Sequence, residues 1–267
     1  TNVITNSGNL NVGNGFLMEY DTENSSHFTF NNNPTGVFNL VGDFLKEDKT
    51  YFYNAGAINM QNGSLFFGGT ASNFQNQSGS TFIIDNTNSP LNTVKFGGYS
   101  GQDINLDLGF MSMTGSYLKI MSSDVTFKGQ GSLEIEGEFI IEDGDLDINA
   151  GGAAMTVTEP GALYVYDTDG SGDGILNLNY GALALGNNGV IYVEGIIPPS
   201  GGNSIVVGDG GVMFIGNVGL YTGTNNNDFI VESGGVLNYC GNKTPLADDL
   251  GTIEAGGILN YAEGYYT

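Results

Sequence analysis

The stretch DTDGSGDG, Asp167 to Gly174, is the part of this chain whose residue types and spacing most resemble a metal site. Asp167, Asp169, Ser171 and Asp173 set oxygen donors at alternating positions among glycines. A hard cation such as Ca²⁺ takes roughly six to eight oxygens and needs a chain able to wrap it. The loop departs from a helix–loop–helix calcium loop, whose final position holds a bidentate acid; counted from Asp167, that place is Leu178. Calcium is thus the one cofactor expected, with a solvated acidic turn as the alternative, since Asp and Gly suit turns on backbone grounds alone.

Carboxylates are denser still in EIEGEFIIEDGDLDIN, which contains Glu134, Glu136, Glu138, Glu142, Asp143, Asp145 and Asp147. Polysaccharide cleavage uses two carboxylates that converge on one bond, one as acid and the other as base or nucleophile. Here the acids fall on three successive short strands, so they diverge. The reading is a charged exterior that keeps the chain soluble and discourages lateral strand pairing. Lyase chemistry wants an Arg or Lys base; the chain has no Arg, and Lys119 and Lys128 are the lysines near the cluster. No enzyme activity is expected, and glycoside hydrolysis is the runner-up.

Three outward tyrosines, Tyr164, Tyr166 and Tyr192, would make a sugar-stacking strip if their strands align; tyrosine also simply suits a strand surface. His27 has no histidine or cysteine nearby, which argues against a transition-metal site. Cys240 is the single cysteine, so no intrachain disulfide forms, and it reads as a small half-buried apolar residue. Glycosylation sequons at Asn24, Asn62, Asn76 and Asn242 are near chance in so asparagine-rich a chain.

The charge balance narrows the partners. Against 29 acidic residues stand six basic ones, for a formal charge of −23. That field repels phosphate, so nucleic acid and anionic membrane surfaces are not expected as partners. No run of apolar residues is long enough for a membrane-spanning helix, so no membrane insertion is expected. Neutral glycans and cations remain.

The elements that would hold these groups are short strands. Glycine makes up 44 of 267 residues without a collagen period, and charged residues are only 13%. Both favour a turn-rich all-β chain. A loose motif of glycine, any residue, apolar, any residue, apolar recurs throughout. In GSLEIEG, Leu133 and Ile135 face one way while Glu134 and Glu136 face the other; GDLDIN and GNLNVG alternate in the same manner.

Two spacings recur. Gly131, Gly137 and Gly144 are six and seven residues apart, whereas Gly189, Gly211, Gly235 and Gly257 are separated by 22, 24 and 22. Three strand-plus-corner steps therefore close one lap. The prediction is a right-handed parallel β-helix (β-solenoid) of about 22 residues per three-sided coil, with coils about 4.8 Å apart. GGVLNY and GGILNY become the same side of successive coils, Asn238 over Asn260 and Tyr239 over Tyr261. Corner glycines supply left-handed backbone that other residues adopt only at a cost.

Residues 1–267 read as one solenoid in two parts: 1–126 irregular and phenylalanine-rich with longer loops, and 127–267 regular. KEDKT, Lys46 to Thr50, reads as a loop. A separate β-sandwich in the first part is the competing reading. Because Thr1 is not a translation start and GGILNYAEGYYT still follows the pattern, the chain is expected to be a segment of a longer one.

GSLEIEG, GALYVYD, GALALGNNG and SGGVLNYCG resemble the β-solenoid passengers of exported bacterial surface proteins: adhesins, autotransporter passengers and the large Asn/Gly/Thr-rich proteins secreted by Bacteroidetes. The resemblance covers most of the chain, best from Phe127 onward. It implies export through a bacterial secretion machinery, an extracellular or cell-surface place, and a stalk or adhesive role toward a glycan, host or neighbouring surface. Carbohydrate binding or cleavage on the same fold is the alternative, and self-assembly into fibres by end-to-end coil stacking is a third reading.

Overall fold

The computed structural model describes residues 2–18, 28–46, 50–67, 73–88, 94–96, 110–123, 125–127, 132–148, 154–170, 173–178, 182–186, 188–197, 204–220, 229–240 and 251–261. Within them the chain is all strand and turn and forms a parallel β-solenoid. The first lap is Asn2–Asn6, Asn9–Val12 and Phe16–Met18; the second is Phe28–Asn32, Val37–Val41 and Phe44–Lys46. Each strand pairs in parallel with the same side of the lap above: Asn2 with Phe28, Asn9 with Val37, Phe16 with Phe44. No hairpin occurs among these strands, and the sandwich alternative for the first part fails on that ground, since its strands belong to the same parallel stack.

One register column shows how far the stack runs. Leu10, Phe38, Ile58, Phe82, Leu118, Phe139, Leu163, Ile191, Met213, Leu237 and Leu259 stand one above another on the second face. Eleven laps at the spacing of paired strands give an axis of roughly 50 Å. The lap length of 22 recurs on the first face, from Phe28 to Thr50, Ser132 to Ala154 and Leu183 to Ile205. Excursions interrupt it. Asn73 pairs with Phe110, 37 residues on, and Ala154 with Ala182, 28 residues on. The second of these longer laps holds the DTDGSGDG loop.

Period-two alternation does what the sequence requires. Leu133, Ile135, Leu146 and Ile148 are buried, while Glu134, Glu136, Asp145 and Asp147 are half-exposed. The core is one continuous column of apolar side chains from Phe30 to Tyr239, with Leu10, Val12 and Leu259 packed on it. Removing an aliphatic or aromatic side chain of this size from water is worth about 1.5–3 kcal/mol. Here each lap supplies only one wall of every pocket, so that gain depends on the laps above and below.

The corners divide their labour between adjacent glycines. In the two near-identical corners, Gly234 and Gly256 take positive φ, 85° and 95°. Gly235 and Gly257 have ordinary φ but no room: a Cβ there would sit on the carbonyl oxygen of Val207 or Val231 in the lap beneath. The doubled glycine thus meets two separate demands, backbone handedness and close approach. At the corner after the second face, left-handed backbone falls to Gly42 in the second lap, with φ of 97°, and in later laps to Asn62, Ser122 and Asp143, each with φ of 54°. Asparagine and aspartate tolerate this region better than most residues.

Candidate cation site and outer second face

The DTDGSGDG loop begins directly over a corner of the previous lap. Glu142 pairs with Tyr166, so the next residues, Asp143 and Asp167, follow them round the same corner. The Asp143 amide donates to the Tyr166 carbonyl at 2.9 Å. Its carboxylate turns up into the loop, where Oδ1 accepts from the Thr168 amide at 2.6 Å and from Thr168 Oγ1 at 2.8 Å. Asp167 closes an Asx turn, its Oδ1 accepting from the amides of Asp169 and Gly170 at 3.0 and 2.7 Å.

The result is three carboxylates, of Asp143, Asp167 and Asp169, with one oxygen from each lying within 4.8 Å of the others. Two are half-buried and Asp169 is exposed. Oxygens so grouped suit a hard cation, which loop carbonyls and water would complete. Asp173 is half-buried and stands outside the converging trio. Ser171 lies outside the described residues, as does His27. Asp143 was counted in the sequence only as surface charge. The signal that finds it is phase, because it precedes Asp167 by one lap of 24 residues.

The rest of the acidic cluster spreads over the three faces. Glu134 is on the first, Glu138 and Glu142 are on the second, and Asp147 is on the third. Glu142 is engaged: Lys119 Nζ lies 2.7 Å from its Oε2, and the Tyr166 hydroxyl donates to the same oxygen at 2.7 Å. The Lys119 hydrogen bond holds the Glu142 carboxyl below the usual carboxylate range, with help from Tyr166 and against a smaller opposing effect of burial. Burial, and then the Glu142 bond, push the Tyr166 phenol above its ordinary value.

Tyr164 and Tyr192 are register partners on the outer second face, and Phe214 continues the line. Tyr166 is on the neighbouring line, tied to Glu142. The aromatic strip is therefore Tyr164, Tyr192 and Phe214, with Phe214 38% exposed. Sequence reasoning passed over Phe214, although it follows Tyr192 by one 22-residue lap. The Tyr192 hydroxyl donates to Glu194 at 2.7 Å; burial first, and this bond second, raise its phenol as well. The same column is amide at both ends: Asn11, Asn39 and Asn59 below, Asn238 and Asn260 above. Asn260 Nδ2 donates to Asn238 Oδ1 at 2.8 Å, and the inward Tyr239 and Tyr261 rings stack at 5.7 Å and 5°. Cys240 is half-buried beyond that strand. Asn76, one of the four sequons, is buried; Asn62 is exposed, while Asn24 and Asn242 lie outside the described residues.

No family model matches the chain, and no curated protein matches it. Among solved structures it is similar to a crystal structure of a TibA fragment hyper-glycosylated by TibC. The two share 12% identity over 98% of this chain and 95% of that one, with a TM-score of 0.22, a likeness too distant to bear on function.

Proposed function

We propose that this chain is a structural and adhesive rod segment of an extracellular or cell-surface protein, with the outer second face as its contact surface. The supporting observation is the unbroken parallel register from Leu10 to Leu259, which joins every described lap to the next through backbone hydrogen bonds. Such a stack sets distance along one axis and displays side chains at a fixed interval. A cation held by Asp143, Asp167 and Asp169 would tie one lap to the loop above it. Glycan binding is the more specific form of the reading, favoured by the alignment of Tyr164, Tyr192 and Phe214, since flat rings in line suit the C–H faces of sugars.

The test is retention of beads coated with the chain on arrayed neutral and acidic glycans under flow, in calcium and in chelator. Retention on neutral glycans is expected, stronger in calcium. Silence on every surface removes the adhesive role, and release of sugar fragments from a polysaccharide overturns the proposal in favour of an enzyme.

A further inference from the structure

The outer second face carries a groove of about 520 Å³ across its first four laps, away from the aromatic strip. Asn11, Asn39, Asn59 and Ile83 run along it, and Val41, Gln61 and Asp85 line the side toward the next corner. Its asparagines are wired in one direction. Asn59 Nδ2 donates to Asn39 Oδ1 at 2.9 Å, and Asn39 Nδ2 donates to Asn11 Oδ1 at 2.8 Å. A primary amide has two N–H groups and two lone pairs, so Asn39 keeps one of each for a ligand after serving the row. The row also fixes the rotamers before anything binds, which removes an ordering cost from association.

The chemistry of the lining narrows the occupant. No basic side chain lines the groove and the chain carries −23, so anions are disfavoured. The one carboxylate, Asp85, already accepts from the Thr87 amide at 3.1 Å and from Thr87 Oγ1 at 2.7 Å. A peptide strand would need free backbone edges, yet the floor is a sheet face whose backbone groups pair with the laps on either side. What remains is a ligand that both donates and accepts hydrogen bonds and has C–H faces for Val41, which is 45% exposed, and Ile83. We infer that this groove binds a neutral, extended oligosaccharide lying along the solenoid axis, with the amides of Asn11, Asn39 and Asn59 reading its hydroxyls. A sugar ring in an extended glycan advances about as far as one lap does, so each amide meets one residue of the chain.

This inference rests on the adhesive reading. It is tested by calorimetric titration of the full chain with neutral hexasaccharides of the β-glucan, mannan, xylan and chitin types, and with hexagalacturonate as the acidic probe. At least one neutral hexasaccharide is expected to bind. Asn39→Leu, close in size but without the amide, and Val41→Lys, at an exposed rim position, are each expected to weaken binding about tenfold or more. Glu254→Gln at an exposed corner of the last described lap is expected to leave it unchanged. Far-UV circular dichroism and melting check that both groove variants fold. Loss with Tyr192→Ala but not with Asn39→Leu moves the binding to the aromatic strip and overturns the groove while the adhesive reading stands. Preference for the acidic probe also overturns it. If no neutral hexasaccharide binds and coated beads hold nowhere, the groove and the adhesive reading fail together.

Discussion

The first four laps and those from Ser132 onward fill the same interior corner with opposite chemistry. At the end of the first face, Asn6, Asn32, Asn54 and Asn76 stand one above another. Each donates to the next, at 2.9, 2.8 and 2.7 Å, and each gives its second N–H to a backbone carbonyl at the start of the second face. The identical register position is then taken by Met113 and by Ile135, Val157, Leu185, Val207 and Val231. Two residues earlier on the strand, the lower laps stack Phe30, Phe52 and Phe74 at 5.0 and 5.6 Å with nearly parallel rings, while Leu133, Met155, Leu183 and Ile205 fill the upper ones. Backbone register does not choose between these solutions. A buried amide is tolerable where its N–H groups and its oxygen all find partners, and here the neighbouring amides and the carbonyls of the second face supply them.

The largest effect should come from the ring stack. Phe52 is fully buried between two parallel rings, and Phe52→Ala is expected to cost about 3–5 kcal/mol, read as a shift of the urea midpoint followed by circular dichroism. A reciprocal exchange sharpens the contrast. Phe52→Leu loses the stacked contacts with Phe30 and Phe74 and the edge contact with Phe44, each worth about 0.5–1.5 kcal/mol beyond area. Leu183→Phe, in the same column, overpacks by about 1–3 kcal/mol. If both exchanges prove neutral, the two regions are one loosely filled core.

Next come the amides. Asn54→Val strands the Asn32 side-chain N–H, one Asn76 lone pair and the Gly56 amide, which bonds Asn54 Oδ1 at 3.2 Å. The expected cost is about 1–3 kcal/mol. Replacing Asn6, Asn32, Asn54 and Asn76 together by valine carries the aliphatic column down through the lower laps. That variant should cost clearly less than four times the single change, since neighbouring defects share their broken bonds. Additive losses would show that the amides act separately and not as a row.

How legible this was depends on the kind of order. Alternation and lap length are written into each copy of the motif, as in GSLEIEG or the GGVLNY and GGILNY pair, so lap geometry follows from local residues. The amide row is written across laps. Asn6, Asn32, Asn54 and Asn76 are 26, 22 and 22 residues apart, and Asn32 sits in a run of three, so the pairing register is what singles it out from Asn31 and Asn33. The same blindness hid Asp143 from the cation cluster and Phe214 from the aromatic strip. Sites that gather residues from successive laps need the phase of every lap, and excursions such as that between Asn76 and Phe110 reset the phase.

A smaller effect tests the polar exterior of the upper region. Glu142 has its carboxyl held below the usual range by Lys119 and Tyr166. A lowered folded-state pKa contributes stability that is present above the unfolded value, near pH 4, and is lost as pH falls through the lower folded value. Between neutral pH and that window the triad is intact. Comparing Glu142→Gln with the parent across this range should show a difference at pH 7 of no more than about 1 kcal/mol, vanishing in acid. A difference that persists below pH 3 would mean that Glu142 acts by packing and not by charge.

The smallest effect lies at the seam where one solution gives way to the other. The amide row ends at Asn76, whose Oδ1 accepts from Ser80 Oγ at 2.9 Å and whose Nδ2 donates to the Tyr117 carbonyl at 3.1 Å. One residue before Tyr117, Ser116 is buried, and its hydroxyl has no partner among the described residues. Gly137 passes over it so closely that a Cβ would meet the Ser116 carbonyl oxygen. A buried hydroxyl without a partner is a standing cost that removal relieves, while the change deletes a single oxygen and keeps the β-carbon. Ser116→Ala is therefore expected to be neutral or to stabilise by a few tenths of a kcal/mol, up to about 1. The sign decides what the seam is. A loss of more than about 1 kcal/mol would mean that Ser116 Oγ is bonded through a buried water, and that the polar row reaches one lap further up the corner than the side-chain bonds alone trace.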